Sequence, residues 1–228
     1  MMKTGLTIAL LAATPVAAQE TFGLPQGCEA YVTVQKRGCI VSHVFTCEGD
    51  AEGDQRRVDL TEAGMSYVGR IDVETHWVES YQPDTGSNNT LGPTITDPAS
   101  YSTLLRDGRD TFDFETTSDV YGVTRYVGWD ELTGDEVVID GVTMQATNYQ
   151  VTAYLPDGTE SWSVTGGQFV VPQWGRFMPG TRTITSSNGV SDRDTTPVEF
   201  LFPGEDGFLA AKPVYDCSVV LSSLESTQ

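Results

Sequence analysis

From Cys28 to Val220 apolar and polar residues alternate almost throughout, in runs cut short by turn residues. Alternation of period two puts one set of side chains on each face of an extended strand, and it offers no 3.6-residue stripe for a helix to bury. Phe112 and Phe114 alternate with Asp113 and Glu115, and Val123, Arg125 and Val127 alternate with Thr124 and Tyr126. Arg57–Leu60 and Met65–Ile71 flank Thr61–Gly64 as strand, turn, strand, and Val73–Tyr81 continues as a further strand. Gln82–Thr96, dense in Pro, Gly, Asn and Asp, reads as a long surface loop. Asp140-Gly141 and Pro156-Asp157-Gly158 are tight-turn signals, and Leu132–Gly134 and Gly166-Gly167 read the same way. Val142–Leu155 is the longest strand, and its apolar parity shifts between Ala146 and Tyr149, which predicts a bulge there.

Strands then follow near Thr159–Thr165, Gln168–Val171, Thr181–Thr185, Pro197–Phe202 and Phe208–Val220. The pattern is all-β, a single antiparallel meander of about ten strands without the helix–strand alternation of a parallel sheet. The twenty-three glycines suit strands that kink or bulge, so the expected architecture is a half-open or closed barrel, with a β-sandwich as the alternative. One short helix is punctuated near 97–107. Asp97 suits the N-cap, Pro98 the first helical position and Gly108 the stop, and Tyr101, Leu104 and Leu105 form its apolar face. A helix of that size fits as a plug for one end of a curved sheet.

The compartment is read from residues 1–18. Lys3, the apolar run Leu6–Ala13 and the small-residue ending Val16-Ala17-Ala18 form a secretory signal peptide, cleaved after Ala18. The remaining 19–228 is expected to be one β domain, in the periplasm or outside the cell. The apolar run is far short of the roughly 20 residues that span a bilayer, so no transmembrane segment is expected. Loss of Lys3 leaves 12 basic against 32 acidic side chains, a formal charge of −20. A surface that acidic repels nucleic acid and anionic headgroups.

Cys28, Cys39, Cys47 and Cys217 are an even set for an oxidising compartment, which predicts two disulfides. Cys39 and Cys47 lie on one strand-like run, where eight residues hold them roughly 26 Å apart, so they do not bond each other. If Arg37-Gly38 makes a two-residue hairpin loop, residues whose numbers sum to 75 face each other. Ala30, Val32 and Val34 then share a face with Val41, Phe45, Cys28 and Cys47, with Ile40 and Val44 as exceptions on the other side. This register favours Cys28–Cys47 with Cys39–Cys217; Cys28–Cys39 with Cys47–Cys217 is the other allowed scheme.

Catalytic patterns are missing. No G-x-S-x-G or S-x-x-K sequence occurs, and the two histidines, His43 and His76, lack zinc-site spacing. His43 falls on the apolar face beside Phe45, where a hydrogen-bonded core histidine is commoner than a base. Glu74 and His76 share a strand face, a thin basis for a metal. Glu48, Asp50, Glu52 and Asp54 could surround calcium, but they lack the twelve-residue ligand loop and read as a solvated turn, as do Asp107 and Asp110. No cofactor or metal is implied. What remains is aromatic: Trp77, Trp129, Trp162 and Trp174 are spread over four segments, and Phe112, Phe114, Tyr126, Trp129, Tyr149 and Trp162 are the candidate ligand-lining residues.

The run Tyr126-Val-Gly-Trp129, Gly134–Gly141, a long strand, Asp157-Gly158 and Trp162 resembles uncharacterised periplasmic β-proteins, whose sheets are similar to the open half-barrel of the lipoprotein-carrier superfamily. The resemblance covers roughly residues 112–178. It implies a curved sheet with an apolar concave side and a helix as lid or plug. The carriers lack this four-cysteine pattern, so the likeness concerns the sheet rather than lipoprotein transport. Together these readings predict a non-enzymatic secreted protein that binds an apolar or amphipathic ligand, such as a lipid, on a curved sheet. A scaffolding protein of the cell envelope, with an envelope protein as partner, and a carboxylate-dependent hydrolase are the alternatives.

Overall fold

The computed structural model describes residues 20–217. Its thirteen strands are β1 (Cys28–Lys36), β2 (Ile40–Cys47), β3 (Gln55–Thr61), β4 (Gly64–Ile71), β5 (Trp77–Gln82), β6 (Ser87–Asp97), β7 (Arg109–Ser118), β8 (Gly122–Ile139), β9 (Val142–Tyr154), β10 (Glu160–Val171), β11 (Arg176–Ser186), β12 (Gly189–Asp194) and β13 (Pro197–Leu201). One helix, α1 (Tyr101–Asp107), interrupts them. All thirteen strands belong to one antiparallel sheet, in the order β12-β11-β10-β9-β8-β7-β6-β5-β4-β3-β2-β1-β13. Every strand pairs with its sequence neighbour except β13, which crosses to β1. The fold is therefore the expected meander, with more strands than the ten read from the sequence.

The two edge strands are consecutive in the chain, separated by Thr195 and Thr196 alone. Thr195 N–H donates to Gly180 O on the β11 side, and Thr196 O accepts from Arg37 N–H on the β1 side. One extended run thus leaves one edge of the sheet and joins the other. The rolled sheet has its edges brought together without a hydrogen-bonded ring.

Turn chemistry explains why adjacent strands pair. Asp140 and Gly141 between β8 and β9 both have positive φ, 47° and 77°, which is what a two-residue hairpin with the right twist needs. The loop between β1 and β2 has three residues rather than the expected two, with positive φ at both Gly38 and Cys39. The register sums to 75 from Cys28↔Cys47 to Ala30↔Phe45, then shifts between Ala30 and Val32. Tyr31 is the extra residue, and the bulge swaps faces. Ala30, Val41 and Phe45 join Val58 and Leu60 under Phe22, Leu24, Phe208 and Leu209, while Val32, Val34 and Val44 pack with Val142, Met144, Val171, Met178 and Phe200. Val44 was an exception only in an unbulged register.

Several further expectations are corrected. Residues 87–97 form β6 rather than a loop, because their polar side chains sit on a strand that is mostly exposed but paired on both sides. The helix starts at Tyr101, not Asp97. Ser100 is the cap, its Oγ accepting from Thr103 N–H at 3.1 Å, while Asp97 ends β6 and accepts from Thr111 Oγ1. Leu132–Gly134 and Gly166-Gly167 are register irregularities inside β8 and β10, not turns. The parity shift in β9 needs no bulge of its own: Val142 and Met144 are covered by β1, β2 and β13, and Val151 by β7 and β10. Residues 208–217 form no strand beyond a single bridge from Ala210 to Thr21. Both disulfides of the favoured scheme are present, Cys28–Cys47 and Cys39–Cys217. No helix among the described residues is long and apolar enough to cross a membrane. Residues 1–18, read as the signal peptide, lie outside the described residues.

Candidate functional site

The rolled sheet holds a half-open cavity of about 870 Å³, walled by strands from β3 to β11. Phe112 and Phe114 reach it from β7, Tyr126 from β8, Tyr149 from β9 and Trp162 from β10. Period two is why neighbours on one strand reach it together. Gly128 makes room for this wall. A Cβ there would lie 2.6 Å from the Phe112 ring, so only glycine lets that ring lie against β8.

The rings form one connected cluster. Phe112 and Phe114 have centroids 5.8 Å apart, Phe114 and Tyr126 5.5 Å, and Tyr126 and Trp162 6.0 Å. Trp77 stands edge-on to both Phe114 and Tyr126 at 5.3 and 5.1 Å. Edge-to-face and tilted contacts of this kind stabilise the cluster beyond its buried area. Trp77 is nonetheless 42% exposed, so the cluster offers an open aromatic surface as well as a packed one.

Five of the six candidate lining residues border this cavity, and Trp129 does not. It lies an odd number of residues from Tyr126 on an unbulged stretch of β8, so it faces away, where the Arg109 guanidinium sits 4.6 Å over its ring. Trp77 was absent from the candidate list, because Asp72–His76 form a turn and set the start of β5 later than the alternation suggests. In that turn Asp72 Oδ1 accepts from the backbone N–H of Glu74 and His76. Trp174, the fourth tryptophan, packs on Phe200 and Phe202, away from the cluster.

Polar groups share the cavity wall. Asp130 accepts from Gln168 Nε2 at 2.7 Å, and burial, with the Asp110 charge across the β7–β8 pair, pushes its pKa up to about 7. Asp110 itself is buried outside the wall and accepts from Ser100 N–H at the start of α1. His76 lines the cavity with its Nδ1 on Asp72 Oδ2 at 2.7 Å and its Nε2 buried without a partner. His43, in contrast, is fully buried far from the aromatic wall, stacked on Phe22 and bonded to Thr33. Burial pushes its pKa down to about 4, as for a neutral core residue.

On the β3 and β11 sides the wall is cationic, with Arg57 and Arg182. Arg57 lies 4.7 Å over the Tyr67 ring, with Nε 3.2 Å from Asp59. Asp59 also takes Lys36 at 3.4 Å and a hydrogen bond from Ser42 Oγ. Burial works against its ionised form, but Arg57 and Lys36 outweigh that and hold its pKa at about 2. Two carboxylates of the acidic turn after β2 are held by arginines: Asp50 by Arg56 at 2.6 and 2.7 Å, and Asp54 by Arg70 at 2.6 Å. Comparison with protein families, characterised proteins and solved structures found no match to the chain.

Proposed function

We propose that this is a secreted, non-enzymatic protein of the periplasm or extracellular space that binds an apolar or amphipathic small molecule on its curved sheet. The observation that carries this reading is the connected ring cluster of Trp77, Phe112, Phe114, Tyr126 and Trp162 on the wall of a cavity of about 870 Å³. That volume lies in the range of small-molecule sites, and an aromatic wall with a few placed polar groups is their usual lining. The signal peptide and the two disulfides support the oxidising compartment.

Native mass spectrometry of protein purified from its own host tests the reading. A retained ligand mass, released on unfolding, is the expected result. Ligand-free protein that also leaves tryptophan fluorescence unchanged on titration with long-chain amphiphiles would end it. Hydrolysis by two carboxylates is the weaker reading, because Asp130 borders the cavity while its neighbour Asp110 is turned to the α1 backbone.

A further inference from the structure

We infer that the cavity takes an amphiphile with an anionic head, its acid group held between Arg57 and Arg182 and its apolar body lying on the aromatic wall. This deepens the reading above and rests on it.

Arg57 and Arg182 line the cavity against one acid, Asp130, while Asp59, outside the lining, pairs with both Arg57 and Lys36. Arg182 has Thr195 Oγ1 as its hydrogen-bond partner, and Arg176 has Tyr31 and Gln55. Neither pairs with a carboxylate among the described residues. Arg182 is thus a cavity-lining cation without an ion pair among the described residues, in a chain of net charge −19 where acidic partners are plentiful. A half-buried guanidinium on the wall with no carboxylate beside it keeps its charge free to meet an anion that enters the cavity.

The guanidinia are also presented for use. Arg57 is hemmed in by protein, yet its side chain is 30% accessible because it borders the hollow. Its Nε lies 3.2 Å from Asp59 without forming a hydrogen bond, and no hydrogen bond of its terminal nitrogens occurs among the described residues. Arg182 likewise spends one terminal nitrogen on Thr195. A planar fork with free N–H groups matches the two oxygens of a carboxylate or phosphate. Both guanidinia line the same cavity, and Asp59 ties Arg57 to the buried Lys36. The cavity's own acid, Asp130, is already engaged by Gln168. The acidic exterior does not prevent entry, since its repulsion is screened over about 8 Å at physiological salt.

The test compares oleate, oleyl alcohol and inorganic phosphate on the purified protein, below the micelle range, by tryptophan fluorescence and calorimetry. Oleate is expected to bind about tenfold or more tightly than the alcohol, the margin of one charge-assisted pair. Arg182→Gln should erase that margin and leave the alcohol unchanged, and Arg182→Lys should restore part of it. Arg182 is chosen because Arg57 also holds Asp59. Equal binding of oleate and alcohol, or an equal loss of both in Arg182→Gln, overturns the anionic head and leaves the apolar cavity standing. Phosphate binding as tightly as oleate overturns the amphiphile. Failure of both long-chain probes overturns the ligand-binding reading itself.

Discussion

His43 and Asp130 are buried groups whose protonation is displaced in opposite senses, and together they set a testable pH dependence. His43 has its pKa lowered from 6.5 to about 4 by burial, so the unfolded chain takes a proton that the folded one refuses. Its contribution to stability is present above 6.5 and is lost as pH falls towards 4, by roughly 3 kcal/mol. Asp130 has its pKa raised from 3.8 to about 7, first by burial and then by Asp110, so its contribution is present at low pH and is lost as pH rises towards 7. The two slopes oppose each other between pH 4.5 and 6.5, above the range in which Asp59 loses its charge. Urea midpoints should therefore be nearly flat in the parent. His43→Gln should lose stability as pH rises across this range, and Asp130→Asn should lose it as pH falls. Variants that both keep the parent's slope would show that these groups are not the pair that matters.

Among the elements, the first hairpin shows how local and distant constraints combine. Cys28 and Cys47 face each other across β1 and β2, 19 residues apart in sequence, while Cys39 at the loop is tied to Cys217 over 178 residues. Loop-closure entropy predicts a loss of about 3 kcal/mol for the short link and about 5 kcal/mol for the long one. Serine replacement of each pair, read by urea unfolding, should give that order. A larger loss from the 28–47 pair would mean that native packing, not chain entropy, dominates. The pairing was legible as the favoured of two schemes, and it holds because the third loop residue and the extra residue Tyr31 offset each other in the register. The bulge at Tyr31 was not legible, since it is imposed by the need of Val32, Val34 and Val44 to meet β9, β11 and β13. The same holds for α1: Gly108 marks its end in the sequence, whereas its start moved to Ser100 because Asp97 is held by Thr111 across the β6–β7 pair.

For the whole molecule, a run that leaves one sheet edge and joins the other makes the cavity a property of all the strands at once. Ligand binding should then stabilise the entire fold. At a hundredfold excess over Kd the expected gain is about 2.7 kcal/mol, read as a rise in Tm that grows with ligand concentration. A bound amphiphile that leaves Tm unmoved would be binding the unfolded chain as tightly as the folded one, which rules out a site that exists only in the fold. Oleate is the probe to use first.

Alternation and turn chemistry alone determined that this chain is antiparallel β and that its first hairpin carries a disulfide, and the sequence grouped Phe112, Phe114, Tyr126, Trp129, Tyr149 and Trp162 as one lining, from which Trp129 departs. These are readable because period two and positive-φ turns are local properties of the backbone. Parity on β8 also separates Tyr126 from Trp129, a distinction present in the sequence once the strand is known to run unbulged. The tertiary structure alone decided that Trp77 completes the ring cluster and that Arg57, Arg182 and Asp130 share its cavity. Those residues come from strands far apart in sequence, and only the curl of the sheet, set by bulges and by packing between its ends, brings them to one hollow.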